Sequence, residues 1–321
     1  MSPSPQAAAH QEKRAQLAAT TARAAGNVWQ RVGSEDVRGS WTRLLPEALA
    51  ILTGAQLAAS RSAEPWLEQL LGRDDERAES DLLVPESLTG VAPDGRSLAE
   101  LLMYPVWAVL HAIGEGLPLV AAFARGRALL DLLVRTVVAD TGRAADLVAM
   151  IVRPAITSYV RVVELPACAR CILLAGREYG LTTGFERHPR CDCTMEPVTR
   201  THQPQPVDAM DVFRQMSPEQ QHKVFGEAAV KAIADGADIT QVVNARRGMT
   251  TATRYGRKIQ ATTEGITRRG IAGSRRAKFE RRAGARYATA KAPRLMPEEI
   301  YRLADDREHA IRLLCRNGYI V

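Results

Sequence analysis

Aromatic residues and cysteines are scarce in this sequence, and it contains no long uninterrupted apolar run. Phe, Trp and Tyr together make up 5% of the 321 residues. A core built mostly from alanine, leucine and valine favours packed helices, because aromatic and β-branched residues dominate strands. The five cysteines are too few for a disulfide-rich scaffold in a chain of this length. The composition therefore predicts a mainly α-helical protein.

The most apolar stretch, residues 101–124, does not have the composition of a membrane span. It contains His111, Glu115 and two prolines, whereas a spanning helix needs about 20 mainly apolar residues. The N-terminal residues also lack the apolar core of a secretory signal peptide. We therefore expect buried helices in this stretch and a soluble protein made in a reducing compartment.

Positive charge is concentrated in one part of the chain. The formal net charge is +7, with 43 basic and 36 acidic residues. Residues 1–160 hold 15 basic and 18 acidic side chains, whereas residues 244–291 hold 14 basic and 2 acidic ones. One segment of 48 residues therefore carries more than the whole net charge, which indicates an acidic partner for that segment.

Helix signals follow one another through the first half of the chain. Apolar spacing predicts helices over residues 6–32, 97–113, 119–139 and 143–163, together with a helix capped by Ser34 and a loop over residues 72–95. Ser217 and Gln220 form a capping-box pattern for a helix that continues to Ala234. Gly318 has the position of a residue that ends the last helix.

These signals predict a multi-helix N-terminal body, then a small zinc-knuckle-like segment with short extended strands, and a helical, basic C-terminal region. We divide the chain into a helical body (1–163), a Cys/His segment (164–200), a linker (201–216), a helical segment (217–246), a basic arm (247–291) and C-terminal helices (292–321). Because residues 247–291 contain few core-forming side chains, we expect an extended arm or a set of short helices there.

The strongest chemical pattern is a cluster of cysteine and histidine. It has the form C-x2-C-x16-H-x2-C-x-C, with the candidate metal ligands Cys168, Cys171, His188, Cys191 and Cys193. Two close pairs of soft ligands, separated by a short loop, are typical of a tetrahedral structural zinc site. The sequence favours Cys168, Cys171, His188 and Cys191 as the ligands, with Cys193 either replacing His188 or lying beside the site.

Three other interpretations of the same residues remain open. They are a pair of disulfides, unligated thiols and a catalytic zinc. The zinc deaminase pattern is rejected, because that chemistry requires an H-x-E motif, whereas His111 and Glu115 are four residues apart.

The Cys/His pattern resembles the Mu F-type minor head proteins of tailed bacteriophages. The resemblance rests on Cys168-x-x-Cys171-x-x-Leu174-x-Gly176, on His188-Pro-Arg-Cys191-Asp-Cys193 and on Glu196-Pro197-Val198, and it covers roughly residues 100–200. The chain from about Ser217 onwards is similar to the C-terminal part of minor capsid proteins of actinobacterial phages. It contains Asn244-Ala-Arg-Arg-Gly248, Thr262-Thr-Glu-Gly265 and Arg294-Leu-Met-Pro297.

The resemblance implies a role in head morphogenesis without enzymatic activity. It implies a low-copy protein of the virion head, assembled in the host bacterial cytoplasm. Its partners would be the portal protein, capsid or scaffold proteins and, without sequence specificity, double-stranded DNA. The alternatives are a capsid maturation protease that acts on head precursors and a sequence-independent nucleic-acid-binding protein outside the virion.

Protease motifs are missing from the sequence. It has no G-x-S-x-G elbow and no H-E-x-x-H motif, which are the common nucleophile and zinc patterns. His111 lies in an apolar stretch, and we expect it to be a core histidine rather than a general base. The sequence therefore predicts no catalytic residue.

The basic arm provides the candidate nucleic-acid or partner contacts. Arginine outnumbers lysine in it, and arginine makes bidentate contacts with phosphate. An acidic protein surface on the portal or shell is the alternative partner, and a solvated tail is the third possibility. The candidate residues are Arg246, Arg247, Arg254, Arg257, Lys258, Arg268, Arg269, Arg275, Arg276, Lys278, Arg281, Arg282 and Arg286.

Overall fold

The computed structural model describes residues 3–72, 82–254, 257–276, 278–281 and 283–321. The chain divides into two compact units. Unit 1 comprises residues 1–165 and 175–206, and unit 2 comprises residues 166–174 and 207–321. Helices dominate both units and are joined by a few short strands. The predicted mainly α class is therefore confirmed.

Most of unit 1 is a helical bundle around one long central helix. The helices are α1 (Pro5–Trp29), α2 (Val37–Arg61), α3 (Ala63–Leu71), α4 (Leu98–Leu101), α5 (Tyr104–Gly114) and α6 (Leu119–Ile151). Helix α6 packs against α1, α2, α3 and α5. Its buried Leu130, Val134 and Val138 share one apolar cluster with Trp29 and Trp41. The helix that the sequence predicts over residues 119–139 is therefore present, at the centre of this bundle.

The structure has one continuous helix, α6, where the sequence predicts two helices, over residues 119–139 and 143–163. Helix α6 continues through residues 140–142, and Gly142 leaves room there for a neighbouring helix. A Cβ on Gly142 would lie 1.5 Å from Nη1 of Arg14 on α1. The helix ends before Pro154, which disfavours helical geometry at the preceding residue. The predicted helix over residues 143–163 is therefore wrong beyond Ile151.

Other helix boundaries in unit 1 also differ from the expectation. Asp36, rather than Ser34, caps α2, and its Oδ1 accepts a hydrogen bond of 2.8 Å from the Gly39 amide. The helix expected over residues 97–113 is divided into α4 and α5. Part of the expected loop over residues 72–95 falls on residues 73–81, which lie outside the described residues. A 3₁₀ turn at Pro85–Leu88 follows.

Close packing around α6 predicts opposite effects for alanine at two helical glycines. A Cβ on Gly126 would lie 2.5 Å from Val109 and 2.6 Å from Trp29, so Gly126→Ala should destabilise the protein by about 1–3 kcal/mol. Gly54 in α2 has no atom within 4 Å of the same position, so Gly54→Ala should stabilise it by roughly 0.5–1 kcal/mol. Urea unfolding of both variants measures the difference. Equal shifts of the same sign would contradict the packing described.

A small antiparallel sheet completes unit 1. Strand β1 (Ser158–Val162) lies between β2 (Glu178–Gly180) and β3 (Thr194–Val198). Tyr159 pairs with Tyr179 on one side and with Pro197 on the other. Proline is tolerated in β3 because that strand is at the edge of the sheet. Strand β1 lies in a region for which the sequence predicts a helix. The strand forms there because Tyr and Val, which favour strands, dominate it.

Unit 2 combines short helices with short strands. The helices are α7 (Ala169–Leu173), α8 (Ala209–Gln215), α9 (Pro218–Phe225), α10 (Glu227–Ala234), α11 (Ile239–Ala245), α12 (Pro297–Leu303) and α13 (Arg307–Arg316). The strands are β4 (Met249–Arg254), β5 (Arg257–Thr262), β6 (Phe279–Glu280), β7 (Thr289–Ala290) and β8 (Arg294–Leu295). Its apolar core includes Phe225, Ile300 and Tyr319.

Some helix signals of unit 2 are confirmed. Ser217 and Gln220 form the predicted capping box. Gly318 has the positive φ of a helix-ending residue, at 69°. The helix expected to reach Ala234 is instead broken at Gly226, whose φ of 85° belongs to the left-handed side of the map. Helix α8 also forms within the segment 201–216, where the sequence predicts only a linker.

The basic segment differs most from its prediction. In place of an extended arm or short helices, residues 249–254 and 257–262 form the paired strands β4 and β5, and β5 also pairs with β8. Ile259 and Ala261 are buried on one face of β5, so alternating apolar residues suffice to hold the hairpin on the core. Among the residues that the structure describes, no helix is long and apolar enough to cross a bilayer.

Candidate metal centre

The first cysteine pair lies at the start of a short helix. Cys168 caps α7, and its Sγ accepts a hydrogen bond of 3.4 Å from the amide of Cys171. Cys168 is exposed and Cys171 is buried. Because residues three apart lie on the same side of a helix, the two sulfurs can face one ion.

The second cysteine pair follows a tight turn and leads into β3. The amide of Cys191 donates to the carbonyl of His188 at 3.1 Å. Arg190 within this turn has a φ of 64°, the one positive value at a non-glycine residue in the described part of the chain. This backbone conformation costs roughly 1–2 kcal/mol in an L-residue. The turn is held by Arg190, whose Nη2 lies 2.9 Å from the carboxylate of Asp131.

The five residues singled out in the sequence form two overlapping groups. The ligand atoms of Cys168, Cys171 and His188 all lie within 4.8 Å of one another, and so do those of Cys171, Cys191 and Cys193. Cys171 belongs to both groups and is therefore the central sulfur. No disulfide joins any of the five cysteines in the described part of the chain, which does not support the disulfide interpretation. This Cys/His cluster has the donor atoms to hold a metal ion.

A buried arginine faces the second cysteine pair. Nη2 of Arg161 lies 3.4 Å from Sγ of Cys191 and 3.5 Å from Sγ of Cys193. The guanidinium also stacks on the ring of Phe185, 4.4 Å from its centroid. Arg161 is only 2% exposed, so its charge requires a counter-charge nearby. The sulfur atoms of Cys191 and Cys193 lie within reach of that charge.

A second arginine fixes the backbone that carries the same cysteines. Nη1 of Arg143 donates to the carbonyl of Cys191 at 3.0 Å and to that of Cys193 at 2.8 Å. Arg143 also pairs with Asp140. Sequence reasoning missed both arginines. For Arg161, the available signal was its position within residues 158–162, a stretch rich in strand-forming residues. A charge buried in such a stretch needs a specific partner.

The histidine of the cluster has one ring nitrogen engaged with the backbone. Nδ1 of His188 lies 2.8 Å from the carbonyl oxygen of Pro189. Since a carbonyl only accepts, this contact uses Nδ1 as the donor, and in the neutral ring Nε2 is then the nitrogen that can bind a metal. Metal-bound histidines commonly make such a contact with their other nitrogen. The donor set thus fits a borderline-soft ion that accepts sulfur and imidazole, as zinc does.

The prediction that His111 is a core histidine is wrong. His111 is exposed, and its Nε2 lies 3.3 Å from the carboxylate of Glu115, the residue that follows α5. The buried histidine is His10, because α1 packs it onto Trp66 with the ring centroids 4.1 Å apart. Its Nε2 is 3.1 Å from the carboxylate of Asp146. No local sequence pattern indicated this pair, because its two members are 136 residues apart.

Ser62 lies near this histidine and forms hydrogen bonds of its own. Its Oγ accepts from Nε of Arg14 at 3.0 Å and donates to the carbonyl of Ala59 at 3.0 Å. The Ser62 hydroxyl proton is therefore directed to a backbone carbonyl and not to an imidazole.

The structure separates the candidate basic residues into two sets. Arg246 donates to the carbonyl of Phe225 at 2.7 Å, and Arg247 lies 3.8 Å from Glu264. Arg275 and Arg276 donate to backbone carbonyls, the latter also to the Asn317 side chain at 2.9 Å. These residues hold the fold of unit 2. The exposed remainder is Arg257, Lys258, Arg268, Arg269, Lys278, Arg281 and Arg286; the side chain of Arg254 and all of Arg282 lie outside the described residues.

Arg294, which is not among the candidate basic residues, has a structural role. Arg294 is 1% exposed, and its guanidinium lies 4.2 Å from the ring centroid of Tyr319. Its Nε donates to the carbonyl of Asn317 at 2.8 Å. These contacts hold β8 against the C-terminal turn.

Comparison of the chain with protein-family models, curated proteins and solved structures finds no match in any of the three.

Proposed function

We propose that the chain is a minor head protein of a tailed bacteriophage, with a structural zinc site and no enzymatic activity. The observation that carries the proposal is the convergence of Cys168, Cys171, His188, Cys191 and Cys193. These are the residues on which the resemblance to Mu F-type proteins rests. A structural metal site requires its ligands to lie close together in the fold. If these residues lay far apart, the resemblance would rest on the sequence pattern alone.

Zinc is the proposed metal, and its role is structural. Zinc supplies folding energy to segments too small for an apolar core of their own, and residues 172–190 form such a segment. Cys171 and Cys191 are buried, and Cys168 lies at the helix terminus beside them. The fourth ligand is His188 or Cys193. The protonated guanidinium of Arg161 compensates the negative charge that cysteine thiolates bring to the ion.

The proposed partners follow from the same assignment. The chain would enter the virion head in few copies, next to the portal protein and to capsid or scaffold proteins. The exposed basic residues of unit 2 support contact with packaged double-stranded DNA, since phosphate recognition needs exposed cations.

Quantitative mass spectrometry of purified proheads and mature heads of the encoding phage tests this function. We expect the intact chain in both particles, at a few copies per portal ring. Loss or clipping on maturation would favour a maturation protease that acts on head precursors. Absence from both particles would favour a nucleic-acid-binding protein outside the virion and would overturn the proposal.

A further inference from the structure

We propose that one face of unit 2 binds the phosphate backbone of duplex DNA, and that a small β-ribbon forms the centre of this face. The face consists of Arg268, Arg269, Lys278, Arg281, Arg286 and Lys291, and is called the basic ribbon surface here. This inference rests on the proposed function for its biological setting. Its physical basis is the geometry of the described residues 266–276, 278–281 and 283–291 alone.

Backbone pairing brings these six residues together. Strands β6 and β7 pair Phe279 with Ala290, and the amide of Lys291 donates to the carbonyl of Lys278 at 2.9 Å. A bridge between Thr267 and Thr289 places the turn with Arg268 and Arg269 beside the same ribbon. Positions that are up to 23 residues apart in the sequence therefore share one local surface.

The positive charge of this surface is not neutralised within the fold. All six side chains are exposed, and none makes an ion pair with a carboxylate among the described residues. Glu280 is the one acidic residue between positions 265 and 291. By contrast, Arg246 pairs with Glu298 at 3.0 Å. A concentrated surface of one sign attracts a polyanion.

Aromatic contacts orient two of the arginines. The guanidinium of Arg268 lies 5.3 Å from the ring centroid of Phe279, and that of Arg286 lies 5.3 Å from the ring centroid of Tyr287. Stacking restricts a flexible side chain before a ligand arrives and leaves its N–H groups available. A guanidinium so held can bind phosphate in a bidentate manner.

The surface has the composition of a nucleic-acid interface rather than a protein interface. Protein partners are held by a buried apolar and aromatic centre. Between positions 265 and 291, Tyr287 is the one large apolar side chain that the described residues expose. The same stretch contains no asparagine or glutamine, the residues that read adenine in the major groove. The expected contact is therefore electrostatic and independent of sequence.

The test compares two variants of equal net charge. The ribbon variant carries Lys278→Gln, Arg281→Gln, Arg286→Gln and Lys291→Gln. The control variant carries Arg214→Gln, Lys223→Gln, Arg312→Gln and Arg316→Gln, four exposed residues elsewhere in unit 2. Both are made in the full-length, zinc-loaded chain. Equal melting temperatures by circular dichroism establish that neither set disturbs the fold.

Fluorescence anisotropy with a short mixed-sequence duplex, titrated over a range of salt concentrations, gives the result. For about six phosphate contacts, the logarithm of the binding constant should fall with the logarithm of salt at a slope near −5 in the native chain. The ribbon variant should retain about two contacts, a slope near −2, and should bind about a hundred-fold more weakly at low salt. The control variant should keep the native slope.

Three outcomes would overturn the inference. The first is normal DNA binding by the ribbon variant. The second is an equal loss of slope in both variants, which would mean that net charge alone governs binding. The third is tighter binding of polyglutamate than of duplex DNA at equal charge, which would indicate an acidic protein partner. The head function is judged separately by mass spectrometry. A chain found in heads whose ribbon variant binds DNA normally would refute this inference alone, whereas a DNA-binding chain absent from heads would refute only the head function.

Discussion

Replacing Cys171 with serine should abolish metal binding. Its Sγ belongs to both groups of candidate ligands, so its loss leaves neither group with three donors. A structural zinc site stabilises the folded state by mass action, by about 4 kcal/mol when zinc exceeds its dissociation constant a thousand-fold. For a chain of this size, that stabilisation corresponds to a melting temperature higher by roughly 10 °C. The native chain should therefore show this zinc-dependent shift, and the Cys171→Ser variant should not.

The chain provides a matched control for this substitution. Cys315 is a free, partly exposed cysteine on α13 and belongs to neither group of ligands. Cys315→Ser should retain one zinc per chain by elemental analysis and the full response to a chelator. Loss of zinc in both variants would point to indirect unfolding. Retention of zinc in Cys171→Ser would refute the site.

Two further substitutions decide the fourth ligand. His188→Ala and Cys193→Ser each remove one candidate and leave Cys168, Cys171 and Cys191 in place. Replacing a true ligand should weaken zinc binding far more than replacing a neighbouring residue, for which a loss of about 10–100-fold is typical. Competition with a chromophoric chelator measures both constants. Equal affinities in the two variants would contradict a four-coordinate site that uses one of these residues.

Sequence patterns predicted the parts of this protein whose structure is decided by nearby residues. The capping box at Ser217 needs only Gln220 three positions later, and it is present. The Cys/His cluster likewise follows from spacing within 26 residues, because two short turns suffice to bring its donors together. Local physical rules determine both features, so one sequence was enough to infer them.

Long-range packing determined the features that the sequence did not reveal. Arg161 is buried because β1 lies between two other strands. No local sequence pattern predicts that it faces the thiols of Cys191 and Cys193. The helix expected over residues 143–163 and the strand β1 compete for the same residues, and tertiary pairing favoured the strand. The basic segment was expected to be extended because core residues are few there. Ile259 and Ala261 nevertheless suffice, since a hairpin needs to bury only one face.

The buried cluster of His10, Arg14 and Asp146 joins α1 to α6 and is another feature that long-range packing determines. Removing the charge of its carboxylate should have a large effect on stability. Asp146 is fully buried and accepts hydrogen bonds from Arg14 at 2.7 Å and from His10 at 3.1 Å. Asp146→Asn would leave the buried guanidinium of Arg14 without its counter-charge. Breaking a buried ion pair by removing one partner typically costs 3–5 kcal/mol, so we expect a loss of about 3–5 kcal/mol in the free energy of unfolding.

The matched control is an exposed ion pair in the same unit. Asp94 lies 2.6 Å from Nη2 of Arg96, and both side chains are about half exposed. Asp94→Asn should cost at most about 1 kcal/mol, because water screens such a pair. Denaturant unfolding of both variants at neutral pH tests the contrast. Equal losses would mean that the Asp146 cluster contributes no more than a surface contact.

The pH dependence of stability should identify Asp146 as the source of the effect. Burial by itself would raise the pKa of Asp146, but the charges of Arg14, His10 and Arg143 outweigh burial and lower that pKa below its ordinary value. A carboxylate whose pKa is lower in the folded state stabilises the fold fully above its unfolded pKa, near 4. That stability is lost as the pH falls through the folded pKa. The native chain should therefore lose stability on acidification below about pH 4, whereas Asp146→Asn should lose less over the same range, and parallel curves for the two proteins would contradict this assignment.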